Sequence, residues 1–336
     1  MRRVLLGTAL AAALPSAAVA QAPQTLIYQT GTSKTTLWAA NWDGSAKRVL
    51  VKGGQEPVVS PDGQRVAYIV GFSNAKLRVI PAAGGAPVTV ASHVWNVDDV
   101  RWAPDDATLA VTTGKELGPY TLKLVNVDTG AVRALNTGKY FGGVSFAPDG
   151  SGVVWSRAAS DSYPTKSDLY RTDLVGGPIV RLTTTKDALS PVWGPSKIAF
   201  SRERKPKKKN DADKLDIYTM NPDGSGLARL TTTNVPFLLS GLTPTGWSDD
   251  GTRLLAEYGG QDTSEAWRVD PGTGSAKDVT GKFDSVIGYA LSHDGSTILG
   301  RSGPFDDPHG KVVAIDYATG HRTVLAANAS WASWNR

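Results

Sequence analysis

A turn signature recurs along this chain of 336 residues: a large apolar or aromatic side chain, a small residue, then Pro-Asp-Gly or a near variant. It stands at Val59–Gly63, Trp102–Asp106, Phe146–Gly150, Trp193–Ser196, Trp247–Gly251 and Leu291–Gly295, and the chain ends on a half-signature, Trp334–Arg336. Successive turns lie about 40–45 residues apart, with one longer interval between Pro195 and Asp249. Asp-Gly supplies the positive-φ positions that tight hairpins need, and the preceding Pro fixes φ and stops ladder pairing.

The segments between these turns are short and rich in β-branched and aromatic residues, without a sustained helical period. Each unit reads as four strands. In the second unit these are Val100–Trp102, Leu109–Thr112, Leu122–Val125 and Val132–Leu135. A Gly-containing turn such as Gly84-Gly85 or Gly272-Thr273-Gly274 separates the third strand from the fourth. The end of the chain offers an innermost strand, Ser330–Trp334, and the beginning offers its missing partners, Leu26–Gln29, Thr36–Ala39 and Lys47–Val51. Pairing the two ends completes one unit and leaves no open sheet edge. The expected fold is therefore all-β: a single β-propeller of seven blades with four antiparallel strands each, closed by its terminal strands. The count falls to six if the degenerate Trp193–Ser196 unit merges with its neighbour.

Composition narrows the function classes. Cysteine is absent, which excludes disulfides, thiolate chemistry and Cys-based zinc sites. Met1-Arg2-Arg3, the apolar run Val4–Leu14 and the small residues Ala18-Val19-Ala20 read as a secretory signal cut after Ala20. The domain expectation is thus a signal peptide at 1–20 and a propeller at 21–336, secreted or periplasmic, by the Sec or the twin-arginine route. The net charge of +5 falls to about +3 without Arg2 and Arg3, too mild to imply nucleic acid. No stretch reads as a transmembrane helix.

The Ser60–Gly63 turn and the run Ile217-Tyr218-Thr219-Met220-Asn221-Pro222-Asp223-Gly224-Ser225, ending in Arg229-Leu230-Thr231, resemble the TolB-type propeller repeats, also called WD40-like Pro-Asp repeats. The resemblance covers residues 25–336. It implies a periplasmic or secreted propeller that serves as an interaction scaffold. The first strand begins close to the expected cleavage site, so the N-terminal α/β domain of TolB is not expected, and the Tol–Pal role is not carried over. Related propellers gate prolyl-oligopeptidase-like peptidases, but no Gly-x-Ser-x-Gly elbow occurs here.

Propellers place ligand sites where loops enter the innermost strands. Those loops offer Glu56, Trp95, Asp98, Tyr140, Phe141, Asp187, Phe237, Asp284 and Ser330. A second candidate is the basic loop Arg202–Lys214, with Arg202, Arg204, Lys205, Lys207, Lys208 and Lys209, able to meet an acidic partner or an anionic surface. The carboxylates Asp62, Asp105, Asp149, Asp249 and Asp294 are expected to bind their own turns rather than a metal. Trp102, Trp193, Trp247 and Trp334 share one repeat position and are expected in the core. Two functions remain open. One is a monomeric, non-enzymatic scaffold for a protein or cell-envelope partner, needing no cofactor. The other is a lyase or lactonase-like hydrolase built from His93, Asp98 and Asp284, with or without a divalent cation.

Overall fold

The computed structural model describes residues 25–72, 74–115, 118–158, 166–204, 214–260, 264–280, 285–303 and 309–335, with the side chains of 96–99 also outside the description. All regular structure in the described residues is β. The chain opens on β1 (Thr25–Thr30), β2 (Thr36–Asn41) and β3 (Arg48–Lys52), then β4 (Gln55–Val59), β5 (Arg65–Val70), β6 (Ala75–Pro81) and β7 (Val88–Trp102). It continues with β8 (Thr108–Gly114), β9 (Tyr120–Asn126), β10 (Val132–Gly138), β11 (Tyr140–Phe146), β12 (Gly152–Ala158), β13 (Ser167–Asp173) and β14 (Val180–Arg181). Next come β15 (Ala188–Trp193), β16 (Ile198–Arg204), β17 (Lys214–Met220), β18 (Ala228–Arg229), β19 (Leu239–Trp247), β20 (Leu254–Gly260), β21 (Ser264–Val269) and β22 (Ala276–Asp278). The last strands are β23 (Val286–Leu291), β24 (Thr297–Ser302), β25 (Lys311–Asp316), β26 (Arg322–Ala327) and β27 (Ala329–Trp334).

The strands form antiparallel meanders in sequence order. β11 to β14 make one sheet and β23 to β26 another. Two meanders, β4-β5-β6-β7 and β7-β8-β9-β10, share one sheet because the 15-residue strand β7 is the outer strand of the first and the inner strand of the second. Another two, β15 to β18 and β19 to β22, are joined by a single parallel bridge, Leu215 to Gly241. The remaining sheet is drawn from both ends of the chain, in the order β27-β1-β2-β3, with Leu26 opposite Trp334 and Tyr28 opposite Ala332.

Apolar clusters lie between consecutive meanders, because each strand buries residues on both sheet faces. Trp155 of β12 packs with Phe141, Leu122 and Leu124, and Trp193 packs with Leu169, Ile198 and Phe200. Leu299 and Val312 pack with Leu26, Tyr28 and Trp334, so the last internal meander shares a core with the composite one. Trp102, Trp193, Trp247 and Trp334 are all buried, as their repeat position requires. Two of them also bond to the preceding inner strand: Trp102 Nε1 donates to Val58 O at 3.0 Å and Trp247 Nε1 to Val192 O at 3.1 Å.

The turn carboxylates do what Asx-turn chemistry dictates. Asp62 Oδ1 accepts from the Gln64 N–H at 2.9 Å, Asp149 Oδ1 from Ser151 at 2.9 Å and Asp294 Oδ1 from Ser296 at 2.9 Å. One assignment is corrected. In the turn after Trp247 this role belongs to Asp250, which accepts from the Thr252 N–H at 2.9 Å. Asp249 occupies the slot held by Pro in the earlier turns and by His293 in the next, and reaches that His293, Oδ2 to Nδ1 at 2.8 Å.

Candidate binding face

Every ladder between an inner strand and its neighbour is interrupted. Register shifts fall between Gln55 and Val58, Phe141 and Val144, Leu189 and Val192, and Leu239 and Gly241, with others in the β7–β8, β23–β24 and β1–β27 ladders. A bulge bends its strand and re-aims side chains, and bulges collect beside sites. Several are built on positive φ: Glu56 at 53°, Gly143 at 113°, Ser190 at 51° and Gly241 at 111°. Glycine takes such a conformation freely, but Glu56 and Ser190 are held there against an intrinsic cost of about 1–2 kcal/mol each. Backbone amides at the bulges find side-chain acceptors: Glu56 N–H meets Gln29 Oε1 at 2.8 Å, and Gly142 N–H meets Ser156 Oγ at 3.0 Å.

These bulges set the surroundings of the expected site residues. Tyr140, 44% exposed, begins β11, and Phe237, 48% exposed, stands just before β19. Trp95, 47% exposed, lies where β7 passes from one meander to the next, its ring stacked on Tyr120 with centroids 4.7 Å apart. Three aromatics thus stand exposed where inner strands begin. Phe141 differs from its neighbour: it is 3% exposed and packs with Trp155 and Leu122, because the alternation of β11 turns it into the core. It is therefore corrected from a surface candidate to a packing residue. Ser330 is partly buried, and its carbonyl accepts from the Tyr289 hydroxyl at 2.9 Å. Burial pushes the Tyr289 phenol well above its usual range, which keeps it a neutral donor. Asp284 and the Asp98 side chain lie outside the described residues.

Asp187 and Arg202, drawn from the two different candidate groups, meet each other. Arg202 Nη2 donates to Asp187 Oδ2 at 2.7 Å, and its Nε lies 3.1 Å from both carboxylate oxygens. The guanidinium also sits 4.9 Å from the Tyr218 ring centroid, and hydrogen bonding to Asp187 raises its pKa further. Arg204 is committed as well, its Nε donating to buried Asp216 Oδ2 at 2.7 Å. Arg202 and Arg204 are therefore anchors of their own meander, and buried Lys214 at the end of the loop is committed too, its Nζ donating to Pro236 O at 2.9 Å and Leu239 O at 2.7 Å. Lys205, Lys207, Lys208 and Lys209 lie outside the described residues.

Sequence reasoning missed one repeated constellation. Asp216 also accepts from Arg229 Nη2 at 2.9 Å, while Ile217 N–H donates to Thr231 Oγ1 at 2.9 Å. The preceding meander repeats it: Asp168 meets Arg181 Nη2 at 2.6 Å, and Leu169 N–H meets Thr183 Oγ1 at 3.0 Å. The shared Arg-Leu-Thr tripeptides at 181 and 229, each following an Asp at the head of the third strand, were the available signal. They hold short outer strands where ladder bonds are few. Among the described residues no three of His, Asp and Glu converge as metal ligands would.

No family model matches the chain, and no curated protein matches it. Solved structures do match. The β-propeller domain of the Trilobed protease from Pyrococcus furiosus, described as having an open velcro topology, aligns with a TM-score of 0.66 at 13% identity, over 91% of this chain and 93% of that one. TolB from Acinetobacter baumannii aligns at 0.55 with 17% identity, over 93% and 83%. An oligogalacturonate lyase in complex with manganese aligns at 0.59 with 18% identity, over 91% and 85%. At these identities the likeness is one of fold alone: the chain has an all-β, TolB-like propeller fold.

Proposed function

We propose that the chain is one propeller of seven four-stranded blades, spanning 21–336, exported after removal of residues 1–20, and that it works as a non-enzymatic scaffold for a protein or cell-envelope partner. The four-strand meander β15 to β18 around the Trp193–Ser196 turn, joined in the sheet to β19–β22 by the single Leu215–Gly241 bridge, favours seven blades over six. The β1–β27 pairing and the shared core of Leu26, Trp334 and Leu299 favour a ring sealed by the termini. No helix among the described residues is long and apolar enough to cross a membrane.

The observation that carries the binding role is the set Trp95, Tyr140 and Phe237, exposed where inner strands begin. Large apolar side chains left in water at one topological position suit a partner surface, where aromatic residues carry a large share of binding energy. The triple variant Trp95→Ala, Tyr140→Ala, Phe237→Ala tests this in capture of solubilised cell-envelope proteins by the purified chain. A discrete partner held by the native chain and lost by a variant with unchanged circular dichroism supports the reading. Equal capture by both chains overturns it.

The enzymatic alternative rests on His93, Asp98 and Asp284, and only the His93 side chain is described, exposed on β7. Metal analysis of the purified chain, with a thermal melt in chelator, separates the two readings. A stoichiometric divalent metal whose removal lowers the melting temperature favours the enzyme.

A further inference from the structure

The connection from β18 to β19, residues 230–238, differs from its counterparts. A single residue, Lys139, joins β10 to β11, and a single residue, Asn328, joins β26 to β27. The longer connection carries no charged residue: it reads Leu-Thr-Thr-Thr-Asn-Val-Pro-Phe-Leu. Val235 packs inward with Ile217, Leu242 and Trp247, as does Leu239 at the start of β19. Between them the chain turns at Phe237 and Leu238, and both side chains stay exposed, at 48% and 43%. Apolar side chains left in water at a turn contribute little to the core.

The tip is nevertheless held in one shape. Leu238 has a φ of 67°, a left-handed conformation that leucine keeps only where its surroundings impose it. The Leu239 N–H closes the turn on Pro236 O at 3.3 Å. Beneath lies buried Lys214, whose ammonium donates to both carbonyls at the base of the turn, Pro236 O at 2.9 Å and Leu239 O at 2.7 Å. Two residues on, Gly241 pairs with Leu215, the neighbour of Lys214. No side chain fits there: a Cβ on Gly241 would come within 2.5 Å of Leu215 O. Lys214 and Leu215 of β17 thus latch the connection across the seam between two meanders. Burying an ammonium is costly, and here it serves the base of an exposed apolar turn.

We infer that Lys214 is a positioning residue: it presets Phe237 and Leu238 as a rigid apolar tip for an uncharged pocket on a partner protein. The inference rests on the scaffold reading and deepens it, adding Leu238 as a contact and Lys214 as its support. A tip ordered in advance loses less freedom on binding. A shaped protein pocket rewards that rigidity, whereas a fluid lipid surface does not.

Hydrogen exchange and partner capture, both on the full chain, test it. Lys214→Met keeps an unbranched side chain and removes its donors. Amides of 232–240 should then exchange about tenfold or more faster, with those of β11 unchanged. The captured envelope protein should bind about tenfold more weakly, the scale of ordering one or two side chains on binding. In the background Phe237→Ala/Leu238→Gly the same lysine change should cost no further affinity, an outcome that a general loss of structure would not give. Leu238→Gly alone is the second variant and decides the matter if Lys214→Met does not fold. Glycine takes this φ freely, so the variant should melt no lower than the native chain, yet bind about tenfold more weakly.

The inference is overturned if Lys214→Met leaves exchange in 232–240 unmoved, or if it weakens binding equally in the Phe237→Ala/Leu238→Gly background. It is also overturned if Phe237→Ala/Leu238→Gly loses binding to phosphatidylethanolamine–phosphatidylglycerol vesicles but not to a protein. Two further outcomes separate it from the scaffold reading. If the Trp95, Tyr140 and Phe237 triple variant captures as the native chain does, the scaffold reading falls and this inference with it. If the triple variant loses the partner while Lys214→Met and Leu238→Gly hold it fully, the scaffold stands and this inference alone is overturned.

Discussion

Thr25 donates its backbone N–H to Asn335 Oδ1 at 2.6 Å, a bond between residues 310 positions apart in the chain. The same buried amide reaches Pro61 O at 3.4 Å. Asn335 therefore ties the first strand, the last strand and the first turn together beside the β1–β27 ladder. Loop closure between such distant segments is entropically costly, so the closing contacts should matter to stability. Asn335→Ala leaves the Thr25 N–H without its acceptor and is expected to lower unfolding stability by about 1–3 kcal/mol. Urea denaturation checks it. A change below about 0.5 kcal/mol would mean that the ladder alone holds the ends.

Asp216 predicts an asymmetry. The carboxylate is buried, its Oδ2 shared by Arg204 and Arg229, while its Oδ1 has no hydrogen-bond partner among the described residues. Removing both arginines strands a buried charge, whereas Asp216→Asn removes the charge along with the need for them. Arg204→Ala/Arg229→Ala should therefore destabilise by about 2 kcal/mol or more, the low end for a buried pair because both arginines are part-exposed, and Asp216→Asn should cost less. Equal losses in chemical denaturation would contradict this.

Acid sensitivity should arise at the repeated turns. Hydrogen bonds from the Ser248 hydroxyl, the Thr252 N–H and the Thr252 hydroxyl hold the Asp250 carboxyl down to about 2, from an ordinary 3.8. The Ser292 hydroxyl and the Ser296 N–H lower Asp294 in the same way. A carboxyl depressed in the folded state favours folding above its unfolded pKa, and that contribution fades as pH falls through the folded value. The melting temperature should thus be flat near neutrality and decline between about pH 4 and pH 2. Asp250→Asn should melt lower at pH 7 and decline less steeply in acid. Asp106 runs the other way: burial raises its pKa, so its ionisation opposes folding as pH rises through that value.

The parts of the molecule that sequence made legible are those fixed by local chemistry. Asp62, Asp149 and Asp294 bond their own turns because an Asx side chain two residues before an N–H has little choice. The β1–β27 pairing was legible because the missing strands of one unit stood at opposite ends of the chain. What escaped depends on neighbours. Asp249 and Asp250 are adjacent and chemically alike; the Ser-x-Asp-Gly register marks Asp250 as the turn acid, but the contact Asp249 makes depends on His293 of the next turn. The bulges at Glu56 and Ser190 carry no residue that announces positive φ, unlike those at Gly143 and Gly241. The Asp187–Arg202 pair joins two segments that read separately as a loop acid and a basic run.

One repeat position separates packing from hydrogen bonding. Trp102, Trp247 and Trp334 precede equivalent turns and are buried to similar depth. The indole N–H of Trp102 donates to Val58 O and that of Trp247 to Val192 O, whereas Trp334 Nε1 is buried without a hydrogen-bond partner among the described residues. Replacement by Phe keeps most of the apolar area in all three. At Trp102 and Trp247 it also strands a carbonyl of the preceding inner strand, adding about 1–3 kcal/mol. At Trp334 it removes an unsatisfied donor, which offsets part of the lost packing. Trp334→Phe should therefore be the mildest of the three in thermal and urea unfolding, and Trp102→Phe and Trp247→Phe should resemble each other. Three equal losses would show that this position acts through volume alone.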